Sequence, residues 1–425
     1  MLKDIKDFLL SLNPGIIIQA PSRINIINPL DAVEGDFWMP SVAINGLKNP
    51  LSVFLYIKDI EGKSRLKVYT VKELIDQYSF ELKSEEVLSI TKSNVKTKLR
   101  SENKLIYASI LRFCQISSYF KSSFSNSNIE IGLITTIPEK SGLGGSAAII
   151  IAVLFGLAQF FDLYNNYKLL KENEFPINKD IIAEMATKIE DEDLKITAGY
   201  GDRYTISRGG LSFCSYYGKL EHKDLSKEPL AIYDRIDEVY AIDNIPIIIC
   251  YSGVHHDSGD VHGPLRRIYL QKNPNMLSNY KELAEIAWKS RFTIMRRDWP
   301  ELGKQLKENT GIINQIMKEA GFKHGIGLAN NFLIELIEEH PDVYAAKLTG
   351  AGGGGSVFAL VNPNKKDAII NYWQERLNEI ISNREEFSSK FSSYPVEILN
   401  KLKNAQFYQI KIDKNGVKTL YKHSN

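Results

Sequence analysis

The chain has 425 residues, with 53 Lys or Arg against 51 Asp or Glu, a formal net charge of +2 and 44% apolar residues. This length fits one large domain or two medium ones, and the apolar fraction is that of a folded globular protein. A near-neutral balance supplies no broad field to hold a phosphate backbone or an anionic membrane, so nucleic acid and lipid are excluded as first expectations and a small-molecule partner is favoured.

In chain order, MLKDIKDFLLSLNPG mixes acids into a short apolar stretch without a small-residue cleavage pattern, which predicts a surface helix rather than a signal peptide and a cytoplasmic location. Cys114, Cys214 and Cys250 have neither disulfide-framework nor metal spacing, in keeping with a reducing compartment. Strands are predicted at Ile16–Ile18, Ile24–Ile27 and Leu51–Ile57, and the polar stretch Lys121–Asn128 reads as a loop before a strand at Ile129–Ile137. The apolar run Ala147–Phe161 is shorter than the roughly 18–20 residues that span a bilayer and is interrupted by Gln159, so it reads as a buried helix.

A helix ending near Glu190 leads through the acidic segment Asp191–Asp193 into the turn TAGYGDR and a strand at Leu211–Tyr217. The uneven, charged text from Gly218 to Lys227 places a domain boundary there, giving expected units 1–222 and 223–425. Beyond it come a buried strand at Ile245–Tyr251, helical periodicity over Met276–Glu319 and Leu328–Glu339, and a strand–turn–strand unit AAKLTG, GGGG, SVFALV. A helix near Lys365–Ile381 follows. A hairpin is then predicted from QFYQIKID, the turn Lys414-Asn415-Gly416 and VKTLY. The charged stretch Ser382–Lys403 between them carries no functional reading.

The most informative segment is Pro138-Glu139-Lys140-Ser141-Gly142-Leu143-Gly144-Gly145-Ser146-Ala147-Ala148, set between a strand and a long helix. Its glycines permit positive φ and close backbone approach, and the helix start offers unpaired N–H groups and a positive dipole end, an arrangement suited to phosphate. Ser146 would cap the helix or meet a phosphate-bound Mg²⁺. The segment lacks the G-K-[ST] of a Walker loop and the G-x-G-x-x-G of a dinucleotide fingerprint, and by itself it is equally compatible with a tight turn and a serine N-cap.

Two further motifs decide the reading: Ala20-Pro21-Ser22-Arg23-Ile24-Asn25-Ile26-Ile27 near the start and Lys347-Leu348-Thr349-Gly350-Ala351-Gly352-Gly353-Gly354-Gly355 near the end. The three in this order resemble the GHMP kinase superfamily, over about Gln19 to Leu360. The resemblance implies a two-domain α/β (α+β) fold, with an N-terminal ribosomal-protein-like βαβ domain and a C-terminal ferredoxin-like domain. It also implies ATP-dependent phosphorylation of a small hydroxyl-bearing molecule with Mg²⁺, by a monomer or homodimer that binds no nucleic acid and no membrane.

On that resemblance, Pro138, Gly142, Leu143, Gly144, Gly145, Ser146 and Ala147 surround the triphosphate. Ser146 and Glu190 hold Mg²⁺, with Asp191 a rival to Glu190 because the acidic run leaves the register open. Asp202 in AGYGDRY matches the aspartate facing the acceptor hydroxyl, as general base or as the group that orients it, and Arg23 matches the catalytic Lys or Arg beside it. Gly350, Gly352 and Gly353 would close over phosphate and acceptor.

Acceptor recognition is assigned to two segments that resemble glucuronokinase-like proteins. Asn28-Pro29-Leu30-Asp31 stands where galactokinase-type enzymes carry G-E-H-T-D-Y, one residue shorter from Arg23 to Asp31. Asp257-Ser258-Gly259-Asp260-Val261-His262-Gly263-Pro264-Leu265-Arg266 resembles their D-S-G-K-V-H with a following Arg. Asp31, Ser258, Gly259, His262 and Arg266 are thus the expected substrate residues, with Arg266 or His262 suited to a uronic acid carboxylate. A sugar 1-phosphate is the expected product. Heptose 7-phosphate kinases and mevalonate- or homoserine-type kinases are the alternatives, and a non-catalytic sugar sensor is the alternative from another class.

Overall fold

The first long strand, β1 (Ile16–Asn25), is buried at every position although its sequence, IIIQAPSRIN, includes Gln19, Ser22, Arg23 and Asn25. The cause is that it has neighbours along its whole length. In the computed structural model, which describes residues 2–28, 30, 39–74, 80–165, 175–215, 232–255 and 258–423, the other strands are β2 (Met39–Gly46), β3 (Ser52–Asp59), β4 (Arg65–Leu74), β5 (Phe80–Ser89) and β6 (Ile129–Thr135). The second half adds β7 (Leu211–Ser215), β8 (Ile232–Arg235), β9 (Ile247–Tyr251), β10 (Val343–Thr349), β11 (Ser356–Val361), β12 (Gln406–Ile412) and β13 (Lys418–Lys422).

Among the described residues these form a 13-stranded sheet with the path β10-β11-β9-β12-β2-β1-β3-β6-β4-β5; β13 is joined to β1, and β7 to β2 and β8. β4 and β6 pair in parallel, the other pairs antiparallel. β1 runs against β13 from Ile16 to Gln19, against β3 from Ile16 to Pro21, and against β2 from Ser22 to Asn25. Pro21, which has no N–H to donate, sits where β13 has been left and β2 begins.

The buried helix expected from the sequence is Gly145–Phe160, apolar on nearly all sides. It lies close on the sheet because Gly156 leaves out a Cβ that would come within 2.5 Å of Leu55 and 3.3 Å of Ile18. The expected polar loop at Lys121–Asn128 is instead largely helix, Ser118–Ser125. Ser117 caps it by accepting from the Phe120 N–H, and Phe120 and Phe124, one helical turn apart, are both buried. Two aromatic anchors at that spacing outweigh the loop-like Ser/Asn composition, since each buries roughly 2–3 kcal/mol of apolar surface.

The hairpin predicted for the last segment does not form. β12 pairs with β9 on one side and β2 on the other, while β13 returns to β1. The turn between them, Asp413–Val417, wraps the end of the helix Gly201–Arg208: Gly210 donates to the Asp413 carbonyl at 2.8 Å, and Val417 to that of Ile206 at 2.9 Å. Strands from the second expected unit thus pair with strands of the first, and the boundary at 222/223 lies outside the described residues. The stretch Ser382–Lys403 forms the helices Arg384–Lys390 and Ile398–Leu402, and buries Phe387, Phe391 and Leu402 against the helices of the second half. Among the described residues no helix is long and apolar enough to cross a membrane.

Candidate active site

Arg23 and Asn25 lie two residues apart on β1, so the strand period sends both side chains to one face. There they meet the first turn of the helix Gly201–Arg208, which carries Asp202. Arg23, 4% exposed, donates from Nε and Nη2 to the two oxygens of Asp202 and from Nη1 to the Gly142 carbonyl. Asn25 Nδ2 donates to Asp202 Oδ1 at 3.0 Å. Burial alone would raise the Asp202 carboxyl. The charge and hydrogen bonds of Arg23, with help from Arg203 and Asn25, outweigh that and hold it well below the usual carboxylate range.

Arg203 extends the row. It donates to Glu190 and, at 3.0 Å, to the Gly199 carbonyl, and its Nη1 lies 3.7 Å from Asp202 Oδ2. The Gly142 carbonyl, Arg23, Asp202, Arg203 and Glu190 thus form a continuous series of alternating charge that begins at the glycine-rich loop. Glu190 belongs to a π-helical turn, Ile189–Asp193, whose wider winding directs adjacent acids differently. Asp191 accepts from Arg266 Nη1 at 2.7 Å and from the Ala198 N–H at 3.2 Å.

The loop before the helix Gly145–Phe160 has its N-cap at Gly144, with φ 83° and no side-chain cap bond. The serine N-cap is thereby set aside: Ser146 is the second residue of the helix and exposed. Its first-turn donors lack a side-chain acceptor, which suits an anion. Gly144 is required, since a Cβ there would lie 3.1 Å from Ile206 and 3.2 Å from Arg23 Cγ. The third motif comes to the same place. A Cβ on Gly350, φ 85°, would stand 2.9 Å from both Cα and O of Gly142, and Ser356 Oγ donates to the Ser141 carbonyl at 2.8 Å. Gly352 is buried and Gly353 exposed beside it. The half-buried Pro138 and buried Leu143 and Ala147 frame the loop.

For Mg²⁺, the exposed hydroxyl of Ser146 and the carboxylate of Glu190 are oxygen donors of the right kind. Glu190 is buried and bonded to Arg203, and Asp191 is bonded to Arg266.

The acceptor segments fare differently. Asp31 lies outside the described residues, as does the side chain of Ser258. The run from Ser258 to Leu270 is a helix, and its Gly259 and Gly263 face Ile196 and Thr197, where added Cβ atoms would lie 3.5 and 3.8 Å away. His262 is buried on it. The guanidinium of Arg266, expected to read a substrate carboxylate, is bonded to Asp191 and, at 3.0 Å, to the Ala198 carbonyl. Sequence reasoning missed Arg203, Asn25, Ser41 and Thr349. Asn25 was detectable from its alternation with Arg23, and Arg203 from its place directly after Asp202.

Family models described as the GHMP kinases N-terminal domain and the GHMP kinases C-terminal domain match residues 104–210 and 293–379, the two stretches that carry the glycine loop with Asp202 and the third motif. The chain carries both GHMP kinase domains. A probable glucuronokinase 2 of Arabidopsis thaliana is 26% identical over 279 residues, 63% of this chain and 68% of that protein. A D-glycero-alpha-D-manno-heptose 7-phosphate kinase of Campylobacter jejuni is 25% identical over 244 residues, 55% of this chain and 61% of its own length. The fold matches that of a Lactococcus lactis galactokinase complexed with galactose, at a TM-score of 0.64 and 14% identity over 95% of each chain. With these domains and relatives named as kinases, the chain is a phosphotransferase acting on a hydroxyl group, and its mixed α/β architecture is consistent with a two-domain GHMP kinase.

Proposed function

We propose that this chain transfers the γ-phosphoryl group of ATP to a hydroxyl of a sugar or sugar acid, giving a sugar 1-phosphate. The observation that carries the reading is the joint between Arg23, Asp202 and the Gly142 carbonyl, which puts an arginine-paired carboxylate beside an uncapped helix entrance suited to phosphate. The choice of acceptor follows the glucuronokinase-like segments and relatives.

Phosphoryl transfer needs alignment, charge neutralisation and a destination for the acceptor proton. The first-turn amides from Gly145 and the loop glycines bind the triphosphate, and Gly350 and its neighbours approach from the other side. Ser146 and Glu190 hold Mg²⁺, which when bound neutralises phosphate oxygens. Because Arg23 keeps Asp202 ionised, this carboxylate is a weak base in the resting site. Its work is to orient the acceptor hydroxyl and to take the proton late, as the new O–P bond makes that oxygen more acidic.

The test is ATP consumption with D-glucuronate, other uronic acids, neutral hexoses, heptose phosphates and mevalonate, repeated with Asp202→Asn. Sugar-dependent turnover, lowered about a thousandfold in the variant while calorimetry still registers ATP, is the expected result. Sugar binding without turnover in the unaltered chain would make it a sensor, and turnover with mevalonate alone would move the acceptor to another class.

A further inference from the structure

A carboxylate can only accept hydrogen bonds, so the Asn25 atom 3.0 Å from Asp202 Oδ1 is its NH₂ group. The amide oxygen therefore faces Ser41, whose hydroxyl donates to it at 3.0 Å. Ser41 is positioned for this by register, directly opposite Asn25 in the β1–β2 ladder. The backbone N–H of Asn25 donates in turn to Thr349 Oγ1 at 3.2 Å, at the end of β10 where the third glycine motif begins. Asn25 is 1% exposed and Ser41 and Thr349 are fully buried. Turning the amide over would set a carbonyl against the carboxylate.

We propose that Asn25 is a positioning residue for Asp202: locked by Ser41 and Thr349, its amide fixes the direction of the carboxylate. The charged groups around Asp202 are Arg23 from β1 and Arg203 from its own helix, with Glu190 beyond Arg203 on the π-helical turn. Both arginines are shared with other acceptors, Arg23 with Gly142 and Arg203 with Glu190 and Gly199. Asn25 adds no charge; it supplies direction. It also makes Asp202 sensitive to the third motif, because Thr349 immediately precedes Gly350 and holds the main chain of the residue that holds the carboxylate. The kinetic part of this inference rests on the proposed kinase reaction; the structural part does not.

Asn25→Asp sets a second carboxylate within hydrogen-bond reach of Asp202, so the two compete to remain ionised. Ser41→Ala leaves Asn25 in place but releases its orientation. Both are read by ¹³C NMR of the Asp202 carboxyl carbon, assigned by its absence in Asp202→Asn, and by the pH profile of kcat. In the unaltered chain the carbon is expected to stay in its ionised position down to acid unfolding. In Asn25→Asp a titration step appears above about pH 4 and the acidic limb of kcat rises with it, with KM for ATP within about twofold; Ser41→Ala shifts both less, in the same direction. A merely structural role would lower Tm and leave the limb in place. An unmoved Asp202 carbon in folded Asn25→Asp, or in Ser41→Ala should the first variant not fold, overturns the inference. If no acceptor is turned over at all, the kinase reading falls while the carboxyl titration still decides this one.

Discussion

Two cations in the glycine-associated motifs are buried almost alike and treated in opposite ways. Arg23 on β1 is 4% exposed and faces Asp202; Lys347 on β10 is fully buried, and among the described residues its Nζ hydrogen-bonds only the Leu348 carbonyl, at 3.4 Å. Burial pushes the Lys347 amine down to about 7. A guanidinium cannot give up its proton at any ordinary pH, so burying one requires a countercharge, whereas an amine can answer burial by becoming neutral. The lesson is that a buried arginine here marks a place where negative charge is held, and a buried lysine need not.

Arg23→Met is the severest way to break the contrast, since it strands Asp202 in the interior without its main partner. A loss of about 3–5 kcal/mol is expected, visible as a large fall in Tm, with turnover abolished. Lys347→Met should do the reverse and raise Tm by several degrees. The folded amine titrates near 7 and the unfolded one at about 10.4. Below pH 7 both states hold the proton and the full cost of burying it is felt; between these values only the unfolded chain binds it, and stability climbs with pH. The gain from Lys347→Met is therefore greatest at pH 6 and shrinks toward pH 10, in thermal melts across that range. If the gain does not depend on pH, Lys347 is not titrating and the contrast fails. Arg266→Ala is the mildest. It removes a mostly buried pair with Asp191 whose ends keep some contact with water, so about 1 kcal/mol is expected, with a KM for sugar acids close to that of the unaltered chain because the guanidinium is already engaged.

What could be read from the sequence was whatever is local. The glycine loop at Gly142–Gly145, its strand and its helix, and the strand–turn–strand around Gly350 are encoded by neighbouring residues and fold as expected. The last strands were misread for the complementary reason: QFYQIKID and VKTLY look like a hairpin because a turn joins them, while the partners that claim them, β9, β2 and β1, are between 155 and 406 residues away along the chain. The site divides in the same way. Arg23 and Asp202 could be singled out by motif, and the way they are held could not, because it depends on the Asn25, Ser41 and Arg203 contacts that only the assembled sheet creates. The pairing of Arg266 with Asp191 on the π-helical turn was likewise not legible in the sequence.

The placement of β12 between β9 and β2, and of β13 beside β1, has a consequence for the birth of the protein. These strands leave the ribosome after every other strand, so while they are still in the exit tunnel the nascent chain shows open edges on β9, β2 and β1, the kind of edge that templates aggregation. A protease cut near Ala405 would return a finished molecule to that state.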